Sequence, residues 1–161
     1  MRIGVVGCGY WGSKHVRVLS GLPHVEQVAV IDPRPDRRND LLRAFPSSSA
    51  FATLDEALPH IDGVVIATPP SSHVGLGLKA IRSGKHLLVE KPLATNLEDA
   101  CTLNAEAAAA GVVLMVGHTF EHNAAVWALR DYIRQDVLGR IYYLDSARLN
   151  LGLYQSDVNV I

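Results

Sequence analysis

The chain is poor in sulfur, in net charge and in long apolar runs, and each shortage removes a class of function. Its two cysteines, Cys8 and Cys101, share no CxxC or metal-ligand spacing. Neither a disulfide framework nor a metal site is therefore expected, but rather two reduced thiols in a cytoplasmic protein. Lys and Arg number 15 against 16 Asp and Glu, for a formal net charge of −1, which leaves no basic field for nucleic acid. No apolar run approaches the ~20 residues that span a membrane, and a strand pattern starts directly after Met1, so no leader is expected. Repeats of solenoid period are missing, and only residues 105–110 are biased, toward the helix former alanine. What remains is 48% hydrophobic residues, enough for a packed core.

That core is organised around the first stretch of chain. Arg2-Ile3-Gly4-Val5-Val6 is a short apolar run, followed at once by Gly7-Cys8-Gly9-Tyr10-Trp11-Gly12 and a helical pattern over 11–20. A second apolar run, 25–31, ends in Asp32, about 20 positions beyond Gly12. In this GxGxxG arrangement Gly7 makes the tight turn, Gly9 lets backbone approach a pyrophosphate, and Gly12 lets helix and strand pack closely. The helix N-terminus offers free N–H groups and the positive dipole end to the phosphates, and Asp32 accepts hydrogen bonds from the adenosine ribose. A turn that merely packs is the alternative, and it leaves Asp32 without a role.

Apolar runs and helical patterns alternate down the rest of the chain. A charged helix is expected over 36–44, a short strand over 50–52 and a helical turn over 54–58. The run 63–67 is apolar throughout, as a strand covered on both faces should be. Thr68-Pro69-Pro70-Ser71-Ser72-His73 leaves its carboxyl end, with Ser71 or Ser72 capping a helix that stops before Gly84. A strand over 86–90 ends in Glu90-Lys91-Pro92, Asn96 caps a long helix ending at Gly111, and 112–116 is the next strand. A helix is expected over 124–137 and a last strand over 141–149. The pattern predicts an α/β, doubly wound parallel sheet (Rossmann fold) over residues 1–139. Residues 140–161 alternate like an antiparallel strand and are expected to open a truncated second, α+β domain.

Taken together, Gly7–Gly12 with His15, Ala67-Thr68-Pro69-Pro70 with His73, Glu90-Lys91-Pro92, and Val116-Gly117-His118-Thr119-Phe120 with Asn123 resemble the N-terminal half of the Gfo/Idh/MocA family. Glu-Lys-Pro after the fifth strand is the specific part. The resemblance implies an NAD(P)-dependent oxidoreductase that moves hydride between nicotinamide and a hydroxyl-bearing carbon of a sugar, nucleotide sugar or polyol. It also implies a homo-oligomer at full length, a C-terminal sheet carrying the substrate contacts, and a catalytic histidine beyond Ile161, towards which Gln155–Ile161 leads. The bare chain is then expected to bind cofactor without turning over sugar. A non-catalytic NAD(H)-binding module or sensor is the alternative, which Lys91 disfavours.

Each site residue carries its own expectation. Lys91, at the carboxyl end of a parallel strand, is the catalytic residue: partial burial in the crevice would let it hydrogen-bond a reacting hydroxyl. Glu90 contacts the cofactor end or orients Lys91. A cis Lys91–Pro92 bond is compatible with the sequence. Thr68 and Pro69 line the diphosphate and nicotinamide side. His73 is either a cofactor contact or a satisfied surface histidine. Of Tyr10 and Trp11, one covers the cofactor and the other packs between helix and sheet. Arg34, Arg37 and Arg38 would suit a 2′-phosphate, but the Asp32 carboxylate repels one, which favours NAD over NADP. His118-Thr119-Phe120-Glu121-His122 spells HxxEH, yet it trails a strand and a glycine, so no metal is expected and His118 is assigned to the substrate side.

Overall fold

The structure, a computed structural model, describes residues 1–147. Six strands form one sheet: β1 (Arg2–Val6), β2 (Gln27–Ile31), β3 (Ser49–Phe51), β4 (Gly63–Ile66), β5 (His86–Val89) and β6 (Leu114–Val116). All five pairings are parallel, in the order β3-β2-β1-β4-β5-β6. The chain moves outward from β1 on one side and then from β4 on the other. The order therefore reverses between β1 and β4, and a ligand crevice opens there beyond the carboxyl ends.

The helices are α1 (Tyr10–Leu19), α2 (Pro35–Ala44), α3 (Leu54–Ala57), α4 (His73–Arg82), α5 (Leu97–Ala110) and α6 (Ala124–Arg134). Alternation along the strands divides the core in two. Val6, Ala29, Ile31, Val64, Ile66, Leu87 and Val89 pack with α3, α4 and α5 through Leu54, Ala80, Ile81 and Leu103. Val5, Val28, Val30 and Val65 pack with α1 and α2 through Val16 and Leu41. Burial on both faces explains why β4 is apolar at every position.

Local signals place most helix ends. Asn96 Oδ1 accepts from Asp99 N (2.8 Å), and Gly111, at φ +65°, closes α5. Asn123 Oδ1 accepts from Ala125 N (2.9 Å) at the start of α6. The start of α4 differs from expectation. Ser72 precedes it but caps nothing, because its hydroxyl lies on Thr68 Oγ1 (2.7 Å) and Pro69 O (2.8 Å) and knits the preceding loop instead.

The chain divides into two compact units, Met1–Gly117 and His118–Ile161. The second holds a 3-10 turn, Thr119–His122, and α6, with the Trp127 indole N–H donating to Glu121 O. The strand expected over 141–149 is not formed across its described part: residues 141–147 have no regular structure. Residues 148 and 149, and the Gln155–Ile161 segment, lie outside the described residues. Among the described residues no helix is long and apolar enough to cross a membrane.

Candidate dinucleotide site

Three loops leave the carboxyl ends of β1, β4 and β5 side by side, and the first is the glycine turn. Gly7 sits at φ +89°, its N–H bonded to Ile31 O (2.8 Å), and a Cβ there would lie 2.6 Å from Ala67 O. A Cβ on Gly12 would lie 1.7 Å from Gly7 O, so helix and strand touch backbone to backbone. Gly9 is different. A Cβ there would meet only the Arg37 guanidinium, at 3.7 Å. Two glycines are thus closed by the chain itself, while the third, preceding the first turn of α1, faces open space beside a cation. That bare backbone, dipole end and guanidinium fit the pyrophosphate of a dinucleotide.

Asp32 follows β2 and is 3% exposed. Its Oδ2 accepts the Cys8 N–H (2.8 Å) and its Oδ1 the Arg34 N–H (2.9 Å), so the carboxylate ties the glycine turn to the start of α2. Arg38 donates to Asp32 O, and Arg37 Nη1 stands 3.7 Å from Asp32 Oδ2. A carboxylate oxygen has more than one lone pair, and each here spends one on backbone. The Arg34 side chain turns away to Asp36, with Nη2 2.5 Å from Oδ2. Arg37, not Arg34, is therefore the arginine at the turn. Between these groups the Cys8 thiol is pushed up to about 12, first by burial and then by the Asp32 carboxylate, against the weaker pull of Arg37 and Arg38.

Glu90 is 9% exposed at the end of β5. Its Oε1 lies 2.8 Å from His15 Nε2 of α1, and its Oε2 accepts the Lys91 N–H at 3.3 Å. Gly117, just past β6, leaves room for it: a Cβ there would lie 3.2 Å from Oε2. Lys91 itself is exposed, and this corrects the expected partial burial. Glu90, the residue continuing β5, takes the inward place, and the lysine points away from the core. The Lys91–Pro92 peptide is cis.

His73 is not a surface histidine. It is 1% exposed, with Nδ1 2.8 Å from Pro92 O and Nε2 2.8 Å from Thr68 O. Its ring is used up between two backbone carbonyls. Tyr10 and Trp11 also depart from expectation, because neither packs into the core. They are 58% and 46% exposed and meet edge to face at 5.3 Å, with Lys14 Nζ 5.2 Å from the Tyr10 ring centre. The inward positions of α1 belong to Gly12 and Val16, which leaves its first two residues outside. His118 is exposed and precedes the Thr119–His122 turn, so the HxxEH spacing falls on a 3-10 turn rather than on one α-helix.

Some of these partners carried no role in the sequence-based site. The Cys8 amide emerges only from the fold, the sequence suits Arg37 to a 2′-phosphate and not to the glycine turn, and His15, part of the motif, finds its partner 75 residues on. The signal that existed was spacing: His15 and Arg37 each sit on the first helical turns after a strand end, where side chains border the crevice.

Sheet order, glycine turn and acid together define a dinucleotide-binding domain. The chain belongs to the Gfo/Idh/MocA oxidoreductase family with an NAD-binding Rossmann fold, whose family model matches residues 1–118. Over 157 residues it is 32% identical to 1-carboxy-3-chloro-3,4-dihydroxycyclohexa-1,5-diene dehydrogenase of Comamonas testosteroni, covering 96% of this chain and 40% of the relative. It is 32% identical over 149 residues to UDP-N-acetylglucosamine 3-dehydrogenase of Acidithiobacillus ferrooxidans, covering 92% and 45%. The WlbA dehydrogenase from Bordetella pertussis, solved with NADH and UDP-GlcNAcA, superposes with a TM-score of 0.81 at 28% identity, covering 88% of this chain and 43% of that one. The chain thus spans less than half the length of these relatives.

Proposed function

We propose that the chain is the cofactor-binding half of an oxidoreductase that uses NAD in preference to NADP and acts on a hydroxyl of a sugar, nucleotide sugar or polyol. The observation that carries the cofactor reading is Gly9, the one turn glycine whose missing Cβ faces open space, between the α1 N-terminus and Arg37. When bound, nicotinamide supplies the acceptor or donor of hydride. The protein's part is binding and orientation. The Gly7–Gly12 turn holds the diphosphate, with Tyr10 and Trp11 as exposed aromatic cover, and Asp32 offers its remaining lone pairs to the adenosine ribose. Arg37 borders that end, and Arg34 holds Asp32 there through its backbone N–H. Thr68 and Pro69 wall the crevice, and Glu90 fixes the Lys91 backbone. Lys91 hydrogen-bonds the reacting hydroxyl oxygen, and His118 belongs to the substrate side. The substrate class rests on the relatives, one named for a nucleotide sugar and another solved with one bound.

The test is calorimetric titration of NAD+ and NADP+ into the chain and its Asp32→Asn variant. NAD+ should bind more tightly to the parent, and the variant should lose much of that preference. NADP+ binding more tightly than NAD+ to the parent would overturn the role given to Asp32.

A further inference from the structure

His73 is a buried polar side chain that the cofactor reading leaves unused. It opens α4, beyond the loop that follows β4, and its two nitrogens lie on carbonyls of two different loops. One is Thr68 O, in the wall of the crevice. The other is Pro92 O, one residue past Lys91. The ring is planar and short, so it fixes the separation of these carbonyls far more tightly than a flexible chain would. The ring thus lies between two segments with anchors of their own: Ser72 holds Thr68 and Pro69, and Leu93 packs against the core just past Pro92. The Lys91 side chain is exposed, and apart from the His73 link its backbone is anchored by the Glu90 carboxylate at 3.3 Å.

We propose that His73 is a positioning residue, a clip that holds the Lys91–Pro92 backbone against the Thr68–Pro69 wall so that the lysine keeps its place at the cofactor. The inference rests on the placement of Lys91 in the crevice given above. The physical motive is precision. A reacting group displaced by about 1 Å can lose on the order of 100-fold in rate, and a lysine on an exposed loop has no packing of its own to prevent that. A neutral imidazole has a single N–H and donates to one of the two carbonyls; in the Nδ1–H tautomer that bond goes to Pro92 O and ties the lysine segment to the start of α4.

The experiment reads Lys91 through its amine. The chain is labelled with N-hydroxysuccinimidyl acetate with and without NAD+, and modification at each lysine is followed by peptide mass spectrometry, with Lys79 and Lys85 as references. At NAD+ ten times its Kd, shielding of Lys91 by bound cofactor should slow its labelling about elevenfold in the parent. In His73→Leu, which fills the space without a donor, and in His73→Asn, too short to reach both carbonyls, the slowing at matched saturation should fall below about threefold. NAD+ affinity should change far less. Full shielding retained in either variant overturns the clip. A parent whose Lys91 gains no shielding, although NAD+ binds, overturns the placement of Lys91 instead. Should neither variant fold, the His73 ring resonances of the parent decide. They should shift on NAD+ binding together with the Lys91 amide, and a ring that stays still while that amide moves overturns the clip.

Discussion

The two ends of the sheet solve the same problem, ending parallel strands in a polar environment, by opposite means. At the amino ends the charges stay in water. The Met1 amine meets Glu26 Oε1 at 2.9 Å, and Arg2 meets Asp62 at 2.7 Å, with both side chains of that pair 43% exposed. Lys85 reaches Ile61 O from just before β5. At the carboxyl ends the polar groups go inside. Asp32, His73 and Glu90 are the buried polar or charged residues among the described ones, and all three lie beyond strand carboxyl ends. Each is held by backbone or by a histidine, and no buried side-chain nitrogen or oxygen among the described residues lacks a partner. Exposed pairs contribute little and tolerate error. Buried polar groups are costly unless every bond is made, so they fix geometry. The end that must hold a ligand is built from the second kind.

The glycine turn should break this contrast most visibly. Gly12→Ala would force a Cβ into contact with Gly7 O, an overpacking that costs roughly 1–3 kcal/mol or more. In a domain of this size that lowers Tm by on the order of 10 °C, and NADH binding should go with it. Gly9→Ala meets no such wall and should leave Tm within about 2 °C while weakening NADH. Thermal melts and fluorescence titration of both variants check the pair. Equal loss of Tm in the two would show that Gly9 is structural as well.

The thiols give a smaller effect. Cys8 lies buried at the carboxyl end with its thiol raised to about 12, and Cys101 is exposed on α5. Thiolate is the reactive form, so iodoacetamide at pH 8 should modify the buried, raised Cys8 far more slowly than the exposed Cys101. Mass spectrometry of the two peptides over time measures the ratio, and comparable rates would mean that the turn opens readily.

The amino end should show the least. Hydrogen bonding to Arg2, followed by its charge, holds the Asp62 carboxyl down at about 2. A depressed folded-state value means that the stabilisation is present above the ordinary carboxylate range, near 3.9, and is lost as pH falls through about 2. Asp62→Asn should therefore lower Tm by only ~1–2 °C at pH 7, because the pair is solvated, and the difference should vanish near pH 2. Melts across that range follow it. A large drop at neutral pH would erase the contrast between the two ends.

How much of this was legible in the sequence follows the same division. Short-range patterns placed the six strands of the sheet to within a few residues, the cap at Asn96 and the glycine turn, because each depends on neighbours in the chain, while the strand expected over 141–149 is not formed across its described part. Bonds between distant segments were not legible. Asp32 binds Cys8 N across 24 residues, His73 binds Pro92 O across 19, and Glu90 binds His15 across 75. Ser72 had the right residue type for a cap and spent its hydroxyl on Thr68. Arg34, nearest Asp32 in sequence, turned to Asp36, whereas Arg37, one helical turn later, returned to the glycine turn. Residue type announced that these groups were polar and near the crevice. Only the fold decided which partner each one took.

Gly117 extends the reasoning to inheritance. Every single-base sense change of a glycine codon to another amino acid installs a Cβ. Here that atom would press on a Glu90 carboxylate already pinned by His15 and by the Lys91 amide. Any substitution at the position therefore asks that carboxylate to give way by a few tenths of an ångström. A lineage that altered Gly117 would shift Glu90 against the His15 ring and the Lys91 amide that hold it.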